Sequence, residues 1–240
     1  MRYDLVIFDL DGTLLYTLED IASALNFALD GHGFPTHSLA ECKMMIGHGV
    51  RNLVKQSIPL ETQSNNSVII SVLNAFRVYY TEHIDDATRP YRGIEKLLWT
   101  LYLNDVMVAV ASNKFQSGTD ALMRRFFPRV PFVAVLGGGG LPATGTAEFG
   151  MPLKPDPRVV QTILRAAARK RGGDCQNGGG SDSCGIRAVM VGDSETDIQT
   201  ARNGGIDSIA VTWGYRKAGD LIGADQIFST PGKLLSYLIG

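Results

Sequence analysis

Two aspartates stand two residues apart, directly after a short apolar run, in the stretch LVIFDLDGT at residues 5 to 13. The carboxylates of Asp9 and Asp11 repel each other unless a cation lies between them or water surrounds the turn. Asp193 follows a second apolar run in the stretch VGDSETD. Carboxylate oxygens are the ligands that Mg²⁺ prefers in proteins. We therefore predict a magnesium site held by Asp9, Asp193 and the main-chain carbonyl of Asp11.

A hydroxyl and an ammonium group complete a set of residues suited to phosphoryl transfer. Ser112 ends the apolar run VMVAVAS, and Lys154 lies in LKPDP, in the loop that leads into a helix. Ligands bind outside the carboxyl ends of the strands in open parallel sheets, so we expect these side chains to meet the aspartates. Asp9 can then attack phosphorus as a nucleophile. Asp11 can protonate the leaving oxygen and later accept a proton from the hydrolytic water.

Further groups are predicted to hold the phosphoryl oxygens, where charge develops in the transition state. Ser112, Lys154 and the backbone N–H groups around Gly12 and Asn113 are the predicted donors. Thr13, next to Gly12, is predicted to border the same group.

Each of these motifs also has an ordinary structural interpretation when it stands alone. A DxDG stretch occurs in acidic turns, and a serine at a strand end often caps the next helix. The acids of GDSETD suit the first turn of a helix because of the helix dipole. Their combination, in this order and at strand ends or leading loops, favours a shared site.

The elements that must position these residues alternate along the chain. Short apolar runs predict buried strands at 5–8, 106–111, 132–136, 188–191 and 208–211. Helical segments are predicted at 94–103, 119–127, 158–171 and 196–204. Alternating buried strands and helices predict an α/β protein whose parallel sheet is covered by helices on both faces.

The stretch from 17 to 88 lacks comparable strands and contains four segments with helical character. Ile21, Leu25, Ala28 and Leu29 recur at helical spacing in the first of them. We predict a helical domain at 17–88, inserted into a catalytic core formed by 1–16 and 89–240.

The composition of the chain argues against nucleic acid and membrane as binding partners. The 240 residues carry a formal net charge of -1 without a basic stripe, so no nucleic acid partner is expected. No apolar run reaches 18 residues, so no membrane span is expected. Three sparse cysteines fit a reducing cytoplasm, and Asp4 in the N-terminal stretch argues against a signal peptide. The oligomeric state cannot be predicted.

Two glycine-rich segments, 137–150 and 172–185, lack the P-loop pattern. The second segment is predicted to be a surface loop that contributes little to turnover. A disulfide bond between its Cys175 and Cys184 is possible but unsupported by the sequence. The role of both segments stays open.

The four motifs together resemble those of the haloacid dehalogenase superfamily, in the same order and over essentially the whole chain. They are DLDGT, the strand-end Ser112, Lys154 of KPDP, and GDSETD. The resemblance implies a Rossmann-like core with an inserted helical cap, an Asp9 nucleophile and Asp11 as the general acid and base. It also implies Ser112 and Lys154 as phosphate holders, Asp193 as a metal ligand and Asp197 as an auxiliary acid at the metal. In having an aspartate at position 11, the chain resembles the phosphotransferase branch of this superfamily, since the dehalogenase branch lacks an acid there.

Two stretches of the helical region resemble the phosphoglycolate phosphatases. They are MIGHGVRNLVKQ at 45–56 and RPYRG at 89–93. Backbone N–H groups of Gly47, His48 and Gly49 at a helix start could bind an anion. Arg51 could pair with a substrate carboxylate. We predict a Mg²⁺-dependent phosphatase of small phosphomonoesters such as phosphoglycolate.

Other functions fit parts of the same pattern. A β-phosphoglucomutase-like enzyme would return the phosphoryl group to a sugar, and an inorganic pyrophosphatase would use the same acids. A phosphonate hydrolase would need a Schiff-base lysine in the cap, where Lys43 and Lys55 are available. A phospho-accepting receiver-like signalling domain needs only about half this length.

Overall fold

The computed structural model describes residues 1–138, 151–173 and 185–240. Most of the two glycine-rich segments, including Cys175 and Cys184, therefore lies outside the described residues. Among the described cysteines, Cys42 is buried and carries a free thiol.

Six strands form one parallel sheet, as the apolar runs predict. The strands are β1 (Leu5–Phe8), β4 (Met107–Ser112), β5 (Ala134–Gly137), β6 (Ala188–Gly192), β7 (Asp207–Val211) and β8 (Gln226–Phe228). Their order across the sheet is β5-β4-β1-β6-β7-β8, and every pairing is parallel. The chain first runs outward from β1 through β4 to β5 and then returns to the other side of β1 through β6. This reversal of strand order creates a crevice at the carboxyl ends of β1 and β6, where ligands bind in such sheets.

Helices cover both faces of the sheet. They are α5 (Ile94–Leu103), α6 (Gln116–Phe126), α7 (Arg158–Lys170), α8 (Glu195–Gly204) and α9 (Pro231–Ile239). Val6 and Phe8 point into an apolar cluster shared with α5, α6 and α9, whereas Leu5 and Ile7 point into a second cluster shared with α7. Because alternate residues of a strand face opposite sides, β1 is buried by both helical layers. The α/β class and the two-sided covering are confirmed.

Four further helices lie between β1 and β4 along the chain. They are α1 (Leu18–Asp30), α2 (Leu39–Met45), α3 (Val50–Ser57) and α4 (Asn66–Glu82). They occupy the interval in which we predicted an inserted helical domain. Their buried residues Leu25, Val72 and Phe76 belong to the same apolar cluster as Val6 and Phe8, so this region packs continuously with one face of the sheet.

A two-stranded antiparallel ribbon joins the helical region to the sheet. It pairs β2 (Leu15–Tyr16) with β3 (Arg89–Pro90). Asp20, buried in the first turn of α1, accepts hydrogen bonds from the Ala87 N–H at 2.9 Å and the Thr88 N–H at 2.8 Å. The start and the end of the helical segment are thereby fixed side by side.

The described part of the chain contains no helix with the length and apolar character needed to span a membrane.

Candidate active site

Three neighbouring strands deliver the central residues of the site. Asp9 follows β1, Ser112 ends β4 and Asp193 follows β6, and these strands are adjacent in the order β4-β1-β6. All three residues are buried, with 7%, 3% and 3% of their surface exposed. The topology therefore brings the predicted strand-end residues to one crevice.

Lys154 joins this group from the loop before α7. Its ammonium donates hydrogen bonds of 2.6 Å to Asp9 Oδ1 and of 2.6 Å to Asp197 Oδ1. Burial lowers the pKa of Lys154, but the charges of Asp197 and Asp9 outweigh burial and raise the pKa above its ordinary value. The lysine therefore stays protonated, and it sits between the first and last acidic motifs.

Asp9, Asp193 and Asp197 form a buried cluster whose ligand oxygens lie within 4.8 Å of one another. Burial and the charges of Asp197 and Asp193, opposed by Lys154, raise the pKa of Asp9 well above its ordinary value. Burial and the charge of Asp197 raise the pKa of Asp193 to about 7. When ionised, three carboxylates against one ammonium leave two negative charges uncompensated, which fits a divalent cation with oxygen ligands.

Asp197 has partners for both of its carboxylate oxygens. Oδ1 accepts from Lys154, and Oδ2 accepts from the Ser194 N–H at 3.1 Å and the Ser194 hydroxyl at 2.6 Å. These contacts close a capping box that starts α8. Asp197 thus holds Lys154 in place, and Asp9, Asp193 and Asp197 all stay predicted residues of the metal site.

Gly12 and Thr13 pack against Asp193. Gly12 has a φ of +91°, and a Cβ atom there would clash with the Asp193 carboxylate. The Thr13 hydroxyl donates to Asp193 Oδ1 at 3.4 Å, and the Tyr215 N–H donates to Oδ2 at 2.5 Å. The Gly12 N–H donates to the Leu15 carbonyl at 2.8 Å, and the contact of this turn with the phosphoryl group stays a prediction.

Asp11 is not one of the three residues of the acidic cluster. Its Oδ1 accepts from the Thr17 hydroxyl at 2.6 Å and lies 3.2 Å from the Lys114 ammonium. The Thr17 N–H in turn donates to the Tyr215 hydroxyl at 2.9 Å. The two N-terminal aspartates thus occupy different environments, with Asp9 beside Lys154 and Asp11 beside Lys114.

Asn113 connects three parts of the site through its side chain. Its Nδ2 donates to the carbonyls of Gly47 at 2.9 Å and Lys154 at 3.2 Å, and its Oδ1 accepts from the Lys154 N–H at 2.7 Å. The neighbouring Ser112 Oγ accepts from the Lys114 N–H at 3.1 Å and keeps its own proton available as a donor.

Some of the site residues predicted in the helical region line the cavity and others do not. Gly47 and Gly49 line the cavity above the aspartates, together with Asp9, Asp11 and Lys154. His48 does not line this cavity and instead lies 3.7 Å from Glu195 Oε1.

Arg51 is also absent from the cavity wall, and it donates to Asn66 at the start of α4. The turn before α3 and α3 itself direct these two side chains to other partners, and the substrate contacts of the His48 backbone N–H and of Arg51 stay predictions.

Lys114, Tyr80 and Arg216 are among the cavity residues that were not predicted from the sequence. Lys114 and Tyr80 lie next to Asp11, and Arg216 donates to the carbonyls of Lys43 at 3.0 Å and Ile46 at 2.7 Å. Lys114 follows Ser112 and Asn113 at a strand end, so the run SNK itself was the available signal. Tyr80 and Arg216 carry no local signal because the fold brings them in from α4 and from the loop after β7.

Comparison with known proteins identifies the family. The family model of haloacid dehalogenase-like hydrolases matches residues 6–211. A phosphoglycolate phosphatase of Mesorhizobium japonicum is 31% identical over 216 residues, which cover 90% of this chain and 85% of that relative. A phosphoglycolate phosphatase of Agrobacterium fabrum is 33% identical over 213 residues, which cover 88% of this chain and 81% of the relative.

A solved structure agrees with this result. A crystal structure of a Lactobacillus delbrueckii subsp. bulgaricus protein superposes with a TM-score of 0.81 at 30% identity, covering 99% of both chains. The chain belongs to the haloacid dehalogenase-like hydrolases, as its four motifs predict.

Proposed function

We propose that this haloacid dehalogenase-like hydrolase is a Mg²⁺-dependent phosphatase that hydrolyses small phosphomonoesters, with 2-phosphoglycolate as its preferred substrate. The observation that carries the proposal is that Asp9 and Asp11 line one cavity but have different surroundings. One carboxylate lies beside Lys154 in the acidic cluster, and the other lies apart on the same cavity, held by Thr17.

In the first step, an Asp9 oxygen attacks phosphorus and the bond from phosphorus to the ester oxygen breaks. Asp11 gives its proton to the departing oxygen, so the alcohol leaves neutral. In the second step, Asp11 takes a proton from water as the water oxygen attacks phosphorus. The bond to Asp9 then breaks, inorganic phosphate leaves and both carboxylates return to their starting state.

Ser112 and Lys154 are proposed to hold the phosphoryl oxygens during both steps. Both side chains line the cavity, and the buried ammonium of Lys154 provides charge where the transition state develops it. Asp9 and Asp193 would hold the magnesium ion, with the Asp11 carbonyl as a third ligand. When bound, the ion would supply the positive charge that the carboxylates and the phosphate lack.

The size of the cavity supports a small substrate. Its volume is about 70 Å³, well below the roughly 300–1,000 Å³ of pockets for drug-sized ligands. The curated relatives named above, which are phosphoglycolate phosphatases, support the same substrate class.

Phosphate release in the presence of MgCl₂ tests the proposal. The panel contains 2-phosphoglycolate, pyrophosphate, β-glucose 1-phosphate and an aryl phosphate. We expect the highest kcat/KM with 2-phosphoglycolate and a loss of at least about 1,000-fold in Asp9→Asn, since the nucleophile is removed. Asp30→Asn, at the exposed end of α1, should match the wild type.

Two results would contradict the proposal. Equal release by Asp9→Asn would remove Asp9 from the chemistry. A higher kcat/KM with pyrophosphate or with the sugar phosphate would replace the proposed substrate.

A further inference from the structure

We propose that Lys114 and Tyr80 form a carboxylate-binding subsite that selects phosphate esters whose alcohol carries a carboxylate next to the ester-bearing carbon. This inference rests on the proposed phosphatase activity and names the groups that give it substrate specificity.

Lys114 occupies a buried position in the cavity, between the end of β4 and the start of α6. Only 8% of its surface is exposed. Its ammonium donates to the Tyr80 hydroxyl at 2.7 Å and lies 3.2 Å from Asp11 Oδ1. Tyr80 comes from α4 and is fully buried. The ammonium of Lys114, from the sheet region, therefore contacts the phenol of Tyr80, from the helical region.

The other cations that line the cavity in the described residues are more heavily engaged. Lys154 lies between two carboxylates at 2.6 Å each. Arg216 donates to two main-chain carbonyls of the helical region and lies 3.5 Å from Glu195. Lys114 contacts one carboxylate, that of Asp11. A buried ammonium is costly unless anions compensate it, and a substrate anion would supply the further compensation.

The distances match a substrate with two anionic groups. If Asp11 protonates the leaving oxygen, that oxygen lies about 2.6–3.2 Å from an Asp11 carboxylate oxygen in the reactive complex. In 2-phosphoglycolate the carboxylate carbon is two bonds from this oxygen. Because the Lys114 ammonium is itself 3.2 Å from Asp11 Oδ1, the substrate carboxylate falls within its reach.

Tyr80 can add a second donor to the same carboxylate. Its oxygen accepts from Lys114, which leaves the phenol proton available to another acceptor. Burial and the charge of Asp11 raise the pKa of Tyr80 well above its ordinary value, so the phenol keeps its proton at neutral pH. Ile21, Leu53 and Phe76 line the same cavity, and such apolar surroundings strengthen a charged hydrogen bond.

The test compares 2-phosphoglycolate with its neutral isostere, the phosphate ester of glycolamide, and measures the ratio of their kcat/KM values. We expect the wild type to prefer the carboxylate by about 10- to 100-fold, the range of a hydrogen bond to a charged group. Lys114→Met should bring the ratio to within about threefold, and Tyr80→Phe should lower it partially. Lys55→Met, an exposed lysine of α3, should keep the wild-type ratio.

Lys114→Gln, which keeps a hydrogen-bond donor without the charge, is measured in parallel so that a folding defect of the methionine variant does not decide the result. A ratio that stays at the wild-type value in a folded Lys114 variant, while both substrates slow equally, would contradict the subsite and leave Lys114 as a positioning residue for Asp11. No phosphate release from either ester by the wild type would contradict the proposed function, and with it the subsite.

Discussion

At the scale of single residues, Gly12 sets the turn that separates Asp9 from Asp11. Its φ of +91° belongs to the left-handed region, and the Asp193 carboxylate packs against its α-carbon. A side chain at this position would strain the backbone and displace Asp193. The glycine of DLDGT is therefore part of the geometry of the acidic cluster.

We expect Gly12→Ala to lower both stability and phosphatase activity. The matched control is Gly33→Ala, because Gly33 has a φ of +68° and open space within 4 Å of where a Cβ atom would lie. Both variants should lose about 1 kcal/mol of unfolding free energy through left-handed strain. Gly12→Ala should lose about 1–3 kcal/mol more through the clash and at least 100-fold in kcat/KM. Urea unfolding and phosphate release measure both effects; equal activities of the two variants would contradict this role of Gly12.

Some residues of the site can be predicted from sequence motifs and from their positions at strand ends. Others are recognised only in the folded structure. Asp9, Ser112 and Asp193 follow buried apolar runs, so their convergence could be inferred from the parallel topology. Arg51 was predicted to face substrate because its charge suits a carboxylate, but sequence alone does not fix which side of α3 faces the cavity. Lys114 went unnoticed because a lysine after a strand is common, and its burial depends on α4 packing above it.

At the scale of elements, Asp4 anchors the start of β1 to its surroundings. Its carboxylate accepts from the Arg187 N–H at 2.9 Å, from Arg187 Nε at 3.1 Å and from Arg171 Nη2 at 3.0 Å. Burial acts to raise its pKa, but the hydrogen bonds from Arg187 and Arg171 prevail and lower the pKa of Asp4 to about 2. The contacts join β1, the residue before β6 and the end of α7.

The lowered pKa gives Asp4 a defined effect on stability. Because the folded-state pKa lies below the ordinary value of 3.8, the ionised carboxylate stabilises the fold above about pH 4, and this contribution is lost as the pH falls through about 2. We expect Asp4→Asn to lower unfolding free energy by about 1–2 kcal/mol at pH 7, from lost charged hydrogen bonds. The difference from wild type should shrink between pH 4 and pH 2.

Chemical unfolding across that pH range measures the difference. Asp156→Asn is the control, since Asp156 pairs with the nearby Arg158 at the surface and should show a smaller change at pH 7. A destabilisation of Asp4→Asn that is independent of pH would show that its charge is not what stabilises the strand.

Most elements were predictable where an apolar run of at least four residues or a helical spacing marks them. The runs predicted for β1 and α5 match the structure, and those for β4, β6, β7, α7 and α8 are off by no more than one residue at each end. The predicted strand at 132–136 lies at Ala134–Gly137 instead, and Phe132 packs partly buried against the core from the loop before it. The two-residue strands β2 and β3 were missed, since so short a ribbon has no periodicity, and β8 was missed for the same reason.

At the scale of the whole molecule, side chains from the sheet region hold the helical region over the acidic cluster. Asn113 binds the Gly47 carbonyl, and Arg216 binds the carbonyls of Lys43 and Ile46. The loop between α2 and α3 is thus fixed by residues that follow β4 and β7. This arrangement places the helical region over the cavity that the aspartates line.

Metal binding should stabilise the whole molecule because it relieves repulsion among buried carboxylates. We expect MgCl₂ to raise the Tm of EDTA-treated protein by a few degrees, since a ligand at about 100 times its Kd contributes about 2.7 kcal/mol. Asp193→Asn should lose most of this rise, and Asp30→Asn should keep it. Differential scanning calorimetry with and without MgCl₂ measures the effect, and an undiminished rise in Asp193→Asn would place the metal elsewhere.

The most direct test of the central proposal is to trap the covalent intermediate. The enzyme is mixed with 2-phosphoglycolate and MgCl₂, quenched in acid during turnover, reduced with borohydride and digested for mass spectrometry. An aspartyl-phosphate at Asp9 would be reduced to homoserine, so we predict homoserine at position 9 in the wild type and none without substrate. Turnover with no modification at position 9, or with modification at another aspartate, would contradict the proposal.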